Sequence, residues 1–409
     1  MNSRKNKKSE KLQIRIVKSN HYLQACIKVL DYAESQGYRG FSKFDALNSP
    51  YVKALTLGNK WLRGGAVLFV NVFPVNLRPI IGVKKSVNAK SISLFAQSYL
   101  DVFKITGDER YLQKGRYCLD WLLKNPSKGY SGLSWGYNFD WQSRLFYAPK
   151  YTPNCVVTVF GGEALVRAYE ETGDKSYLDQ AQESSKFLLH DLPVIYEDEE
   201  SKCTSYVPWK VSSIVLNINA LVSAFLAKLA KHTNGEDYGI EAKKLMRYVL
   251  NNKTDYNAWY YTFPPGDSHI RHDNYHTGGI LDALLEYMQY TGEYNEERTY
   301  LKGLKYYREN LFNEDGAPKW MNDKSHPYDI HGAAQGIITF SKAASIQKEF
   351  GDFAHKIADW TLENLYNERE GYFYYQQGKY FKHKFSLMRW CNAWMSRALS
   401  ELLLNEKNE

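Results

Sequence analysis

The sequence has no apolar run long enough to cross a bilayer. The longest, Gly65 to Pro74 (GAVLFVNVFP), falls well short of the roughly 20 residues that a spanning helix needs. The opening residues, MNSRKNKKSEKLQIRIVK, lack the apolar core of a secretory leader. A soluble, cytoplasmic protein with no transmembrane segment is therefore expected. Cysteine is scarce: Cys26, Cys118, Cys155, Cys203 and Cys391 are odd in number and far apart, which argues against a disulfide framework, excludes a CxxC metal knuckle and favours a reducing compartment. No GxSxG elbow, Walker A loop, GxGxxG fingerprint or HExxH pair occurs, which turns the reading away from serine hydrolase, nucleotide, dinucleotide and zinc-protease chemistry. Helix-turn-helix, zinc-finger and RNA-binding signatures are also missing, so no specific nucleic-acid partner is expected.

What is present is a long chain with ample means to build a core. Of its 409 residues 44% are hydrophobic, and the 33 Tyr and 10 Trp suit large buried rings or a ring-lined cleft. Lys and Arg number 53 against 45 acidic residues, a formal charge of +8, and part of the excess sits in residues 1–18. That segment reads as a flexible basic tail able to touch anionic surfaces weakly, and 19–409 as one domain.

The domain is a repeat. Thr106-Gly107-Asp108, Thr172-Gly173-Asp174, Asn234-Gly235-Glu236, Thr291-Gly292-Glu293 and Phe350-Gly351-Asp352 recur at spacings of about 60 residues. Each phrase follows an apolar helical pattern and precedes an amphipathic one, so Gly is expected to cap one helix and the acid to start the next. Apolar helices are expected near 90–105, 156–172, 213–232, 274–291, 330–349 and 387–404. More polar ones are expected near 20–36, 109–124, 176–189, 238–252, 296–312 and 353–366. Six such pairs close into an all-α (α/α)6 barrel, apolar helices inside and amphipathic ones outside. A tetratricopeptide-type solenoid has too short a period. The long loops, 37–89, 125–155, 190–212, 253–273, 313–329 and 367–386, then share one face, and the site is expected there, at the starts of the inner helices. Period-two patterns in GAVLFVNVF and GYFYYQQGKYFK suggest short strands within the loops.

Polar residues crowd the starts of the inner helices, where a purely structural bundle would continue its apolar stripe. His272, Asp273 and His276 fall within one helical turn, with the two histidines at i, i+4. Asp273 suits either an N-cap or acid–base work, and no metal-ligand pattern accompanies the histidines. Asp329, His331 and Gln335 repeat the order of acid, imidazole and amide. Trp135, Tyr137, Asp140, Trp141 and Arg144 form a loop dense in rings and charges: rings that stack on sugar faces, an Arg fork for a carboxylate, and an acid whose pKa burial could raise. Arg389 stands with Trp390 at the start of the last apolar helix and calls for an anionic partner, from the protein or from a substrate. No cofactor motif accompanies these groups.

The six-hairpin alternation resembles the six-hairpin glycosidase-like superfamily of (α/α)6 toroids. Four stretches, F41SKFDALNSP50, V75NLRPIIGVKKSVNAKSISLF95, W135GYNFDWQSR144 and L387MRWCNAWMSRALSELL403, look more specifically like polysaccharide-biosynthesis proteins of exopolysaccharide and capsule clusters. The resemblance implies a carbohydrate-linked role with the site at the barrel mouth, and it marks Asp45, Asp140 and Arg144 as motif positions. The expectation is a carbohydrate-active, glycoside hydrolase-like enzyme of surface-polysaccharide metabolism, acting on a glycosidic or uronic-acid-containing oligo- or polysaccharide. Asp140 and Asp273 would be its carboxylates. The alternatives are an epimerase or lyase that uses His276 and His331, and a non-catalytic glycan-binding or assembly factor.

Overall fold

The computed structural model describes residues 2–408, and the side chains of 17–407. The basic segment 1–18 falls almost wholly outside the described side chains. In chain order the helices are α1 (Asn2–Ser35), α2 (Pro50–Leu55), α3 (Lys60–Val72), α4 (Ala89–Thr106), α5 (Glu109–Lys124), α6 (Cys155–Thr172) and α7 (Lys175–Lys186). They continue as α8 (Leu216–Thr233), α9 (Glu236–Asn251), α10 (Asn274–Thr291), α11 (Glu297–Leu311), α12 (Ile330–Ala343), α13 (Lys348–Leu365) and α14 (Trp394–Asn408). A π-helical turn, Met388–Ala393, leads into α14.

The even-numbered helices α4 to α14 form the inner ring. Each packs against the next, and α14 returns to α4 to close it. The outer helices α5, α7, α9, α11 and α13 each lie on the inner helix that precedes them, whereas α1 covers α14. The first and last helices thus complete the sixth pair. This is the (α/α)6 toroid. Composition explains the layering: inner helices such as α4 and α12 are buried nearly all round, whereas outer helices such as α5 bury one stripe.

The tight turns follow from glycine. Gly107, Gly173 and Gly292 end α4, α6 and α10 at φ of 71°, 70° and 73°, a left-handed conformation that residues with a Cβ adopt reluctantly. Asp108 and Asp174 then cap the next helices by accepting the amides of Arg110 and Ser176. In the third turn Asn234 takes the left-handed position instead of Gly235. Two expectations are corrected. The Phe350-Gly351-Asp352 phrase lies inside α13, and the turn falls earlier, at 344–347, because Phe350 is buried against Phe340 and belongs to the helix packing. GAVLFVNVF lies in α3 and is not a strand: Asn59 caps it through the Trp61 and Leu62 amides. Strands do occur in GYFYYQQGKYFK, where Gln376–Gln377 pairs with Lys382–His383 and with Tyr328–Asp329. All five cysteines are buried and free, and among the described residues no helix is long and apolar enough to cross a membrane.

Away from the mouth, the interior charges of the inner ring are paired. Asp101 accepts from Arg167, Arg397 and Ser400, and Arg397 also binds Glu401. Lys228 pairs with Glu163, and Lys342 with Glu286. Asp282 is the strained member: burial pushes its carboxyl up to about 6, although it accepts a hydrogen bond from Gln335. The folded chain holds that proton more tightly than the unfolded one, so its contribution to stability declines as pH rises from about 4 to about 6. In Asp282→Asn the amide oxygen still accepts from Gln335, and that decline should vanish. Unfolding measured from pH 4 to 7 should show the variant gaining on wild type to a plateau of about 3 kcal/mol above pH 6.

Candidate active site

Two histidines stand at the starts of adjacent inner helices. Asp273 caps α10: one carboxylate oxygen accepts the His276 amide at 3.1 Å, and the other meets His276 Nδ1 at 2.7 Å. One side chain therefore ends the helix and orients the ring, so both readings of Asp273 hold. An ionised carboxylate beside Nδ1 keeps the proton there and leaves Nε2 with a free lone pair. Asp329 caps α12 in the same way, accepting the His331 amide at 2.8 Å. Its remaining capacity takes the Trp390 indole at 2.7 Å and the Lys43 ammonium at 3.1 Å.

His331 is buried. It stacks on Tyr275 at 4.6 Å between centroids and touches the rings of Trp390 and Trp394 at 4.4 and 4.3 Å. Burial first, then the nearby Lys90, Arg389 and Lys43, hold its pKa well below the usual imidazole range, so the ring is neutral at pH 7. Its buried Nδ1 has no hydrogen-bond partner, which leaves Nε2 as the ring nitrogen available to a ligand. Tyr275 is also 4.4 Å from His276, so a single phenol ring touches both imidazoles.

A cationic floor lies next to this pair. The Arg389 guanidinium is buried over Tyr137 at 5.1 Å, with Nε and Nη2 unpartnered. Tyr137 meets Trp141 edge-on, and Trp141 packs on Phe146 and Tyr206. Lys90, on the first turn of α4, is buried over Phe160 and Trp394 at 4.1 and 4.9 Å. Lys43 sits 3.9 Å over Trp390. Sequence reasoning missed Lys43 and Lys90. Lys90 left a signal: a cation in the first turn of an apolar helix opposes the helix dipole, and such a choice calls for a reason.

The structure therefore brings together Asp273, His276, Asp329, His331, Tyr137, Trp141, Arg389 and Trp390. Other expected site residues lie elsewhere. Asp140 is committed to Lys53 at 2.7 Å and to the Lys150 amide at 2.9 Å; burial alone would raise its pKa, but these partners hold it below the ordinary value, opposite to what a proton donor needs. Asp45 is locked to Arg78 at 2.6 Å and ties the loop at 42–45 to 78. Trp135 is core: its indole donates to Leu122 O, and a Cβ at Gly161 would stand 2.6 Å from its ring. Arg144 is exposed on the rim near His269. His272 precedes α10, so it shares no helical face with His276; its nitrogens meet Trp259 O and Tyr256 OH. Gln335 binds Asp282 and Thr339 between α10 and α12. Among the described residues no three His, Cys, Asp or Glu side chains cluster as a metal site.

Comparison with known proteins places the fold. No family model and no curated protein matches the sequence. Solved structures do. A sugar epimerase from a ruminal bacterium is 16% identical with a TM-score of 0.63, covering 78% of this chain and 87% of its own. The cellobiose 2-epimerase of Bacillus thermoamylovorans is 14% identical with a TM-score of 0.62, over 78% and 87%. A GH76 alpha-mannanase of Bacteroides thetaiotaomicron is 15% identical with a TM-score of 0.61, over 79% and 87%.

Proposed function

We propose that this protein is a sugar epimerase or isomerase that moves a proton on a carbon next to a carbonyl group. The observation that carries the reading is the pairing, across Tyr275, of an aspartate-backed imidazole with a desolvated neutral one. His276 Nε2 takes the proton from carbon, and Asp273 stabilises the imidazolium that forms. The C–H electron pair moves into the carbonyl, and the oxygen that gains charge receives a hydrogen bond from His331 Nε2–H. A neutral imidazole does this well because it donates without surrendering its proton. Lys43, close to His331, supplies positive potential beside that oxygen. Return of the proton from His276 to the former carbonyl carbon, with the neighbouring hydroxyl proton passing to the former carbonyl oxygen, gives isomerisation; return to the same carbon after the planar enediolate has turned its other face to His276 gives epimerisation.

The hydrolytic reading pairs Asp140 with Asp273 as acid and base, but Asp140 is committed to Lys53 and the Lys150 amide, and Asp273 to the His276 amide and ring. The epimerases among the similar folds support the proton-transfer reading. The reading takes the reaction to belong to surface-polysaccharide metabolism in the cytoplasm, with the resemblance of the four sequence stretches as its support. Incubation with a panel of reducing sugars and uronates, followed by proton NMR, tests the reaction class. A new epimer or ketose is expected, and new reducing ends or an alkene signal would refute it.

A further inference from the structure

The barrel mouth contains more positive charge than the protein itself neutralises. Three basic side chains, Lys43, Lys90 and Arg389, stand there against two carboxylates, Asp273 and Asp329. Asp329 pairs with Lys43 and the Asp273 carboxylate meets His276 Nδ1, whereas among the described residues neither Lys90 nor Arg389 has a carboxylate within ion-pair distance. Both are buried, 6% and 2% exposed, and both stand at the start of an inner helical segment, where the helix dipole is also unfavourable to a cation. Deeper in the same interior Arg167, Arg397, Lys228 and Lys342 are each paired with a carboxylate, so among the described residues the contrast lies at the mouth. Burial also holds the Lys90 ammonium well below its usual pKa, the mark of a charge that lacks a counter-ion.

We infer that Lys90 and Arg389 form a subsite for one carboxylate, and that the substrate is an acidic sugar of the uronate type. The two coplanar oxygens of a carboxylate match the planar Arg389 fork, whose Nε and Nη2 are unpartnered. The surrounding rings, Tyr137, Phe160, Trp390 and Trp394, offer the flat faces on which a sugar ring stacks. The inference rests on the proposed reaction only for the site's location, and binding tests it separately. Calorimetric titration should compare glucuronate, galacturonate, glucose and glucose 6-phosphate on wild type and on Lys90→Met. Wild type should bind a uronate about tenfold or more tighter than glucose, and the variant should lose that preference. Because Lys90→Met removes an unpaired buried charge, it should also unfold at a higher temperature than wild type. Arg389→Lys, which keeps the charge but not the fork, should retain part of the preference. Equal affinity for uronate and glucose, tighter binding of the sugar phosphate, or a Lys90→Met variant that is less stable with unchanged affinity would each overturn the subsite. Uronate binding without turnover would leave the subsite standing and refute the proposed reaction.

A second inference rests on a different surface. Of the twenty large hydrophobic side chains exposed among the described residues, ten lie between Tyr51 and Ile80. Trp61, Leu62, Leu68, Phe69 and Val72 are all more than half exposed and share one face of α3, while Val67, Val70 and Asn71 face inward. From Ala46 to Leu100 the sequence contains no Asp or Glu, and Lys60, Lys84 and Lys85 are exposed. An apolar helical face in an acid-free, basic segment is complementary to an anionic lipid surface. We infer that α3 lies on such a bilayer, its axis in the interfacial plane. Sedimentation with vesicles of phosphatidylglycerol and phosphatidylcholine should capture wild type, capture fall with added salt, and a Trp61→Ser, Phe69→Ser variant stay largely in solution. Equal sedimentation of variant and wild type, or a wild-type dimer that ignores vesicles and that the same changes dissociate, would overturn it.

Discussion

Asp273→Asn is expected to lower kcat by about 10²–10⁴-fold while leaving the fold intact. Asn is as good an N-cap as Asp, so its oxygen can still accept the His276 amide and α10 should keep its start. The second position then becomes an NH2 group facing His276 Nδ1, which must turn from donor to acceptor. The ring proton moves to Nε2, and the nitrogen that should receive the substrate proton is blocked. KM should change little, because neither atom binds the unreacted sugar through that lone pair. Unfolding midpoints of wild type and variant should agree, which separates this effect from loss of structure. Steady-state kinetics beside circular dichroism checks both halves.

Asp101→Ala is expected to be among the most destabilising single changes in the chain. The carboxylate is completely buried and receives Arg167, Arg397 and Ser400 together. Removal leaves two guanidinium groups short of a partner in the closed half of the barrel. Breaking one side of a buried ion network costs roughly 3–5 kcal/mol. Replacement of Arg167 and Asp101 together by Met and Leu should recover part of that loss, since Arg397 keeps Glu401 and Gln97 and the penalty comes from the stranded charge rather than from the absent attraction. Denaturant unfolding of the two variants and wild type measures it, and an Asp101→Ala loss under about 1 kcal/mol would contradict it.

The fold was largely legible because it is punctuated by a residue with a physical reason to be there. Gly107, Gly173 and Gly292 each supply the left-handed conformation that ends an inner helix, and an acid follows to cap the next. Legibility failed where that device is missing. The turn at 344–347 has no glycine, so the nearby Gly351 drew the boundary into α13. In α3 a short apolar run fits a strand as well as a helix, and only the Asn59 cap decides.

The site was legible in part for a similar reason. Asp273, His276, Asp329 and His331 stand at helix starts, where spacing fixes direction, and the barrel brings them to one mouth. Asp140 and Trp135 lie on a loop whose path no local rule sets; one closes on Lys53 and the other enters the core. Lys43 and Lys90 escaped notice because a lone lysine normally reads as solvated, and only ring closure buries these two.

The most direct measurement is deuterium exchange in heavy water, followed by proton NMR, on wild type, His276→Asn and His331→Phe with a uronate as substrate. Wild type should incorporate deuterium on carbon next to the carbonyl with no cleavage. His276→Asn should abolish incorporation, and His331→Phe should slow it by about 10²-fold or more through loss of the hydrogen bond to the oxygen. Cleavage products without exchange, or exchange equal in wild type and His276→Asn, would contradict the account.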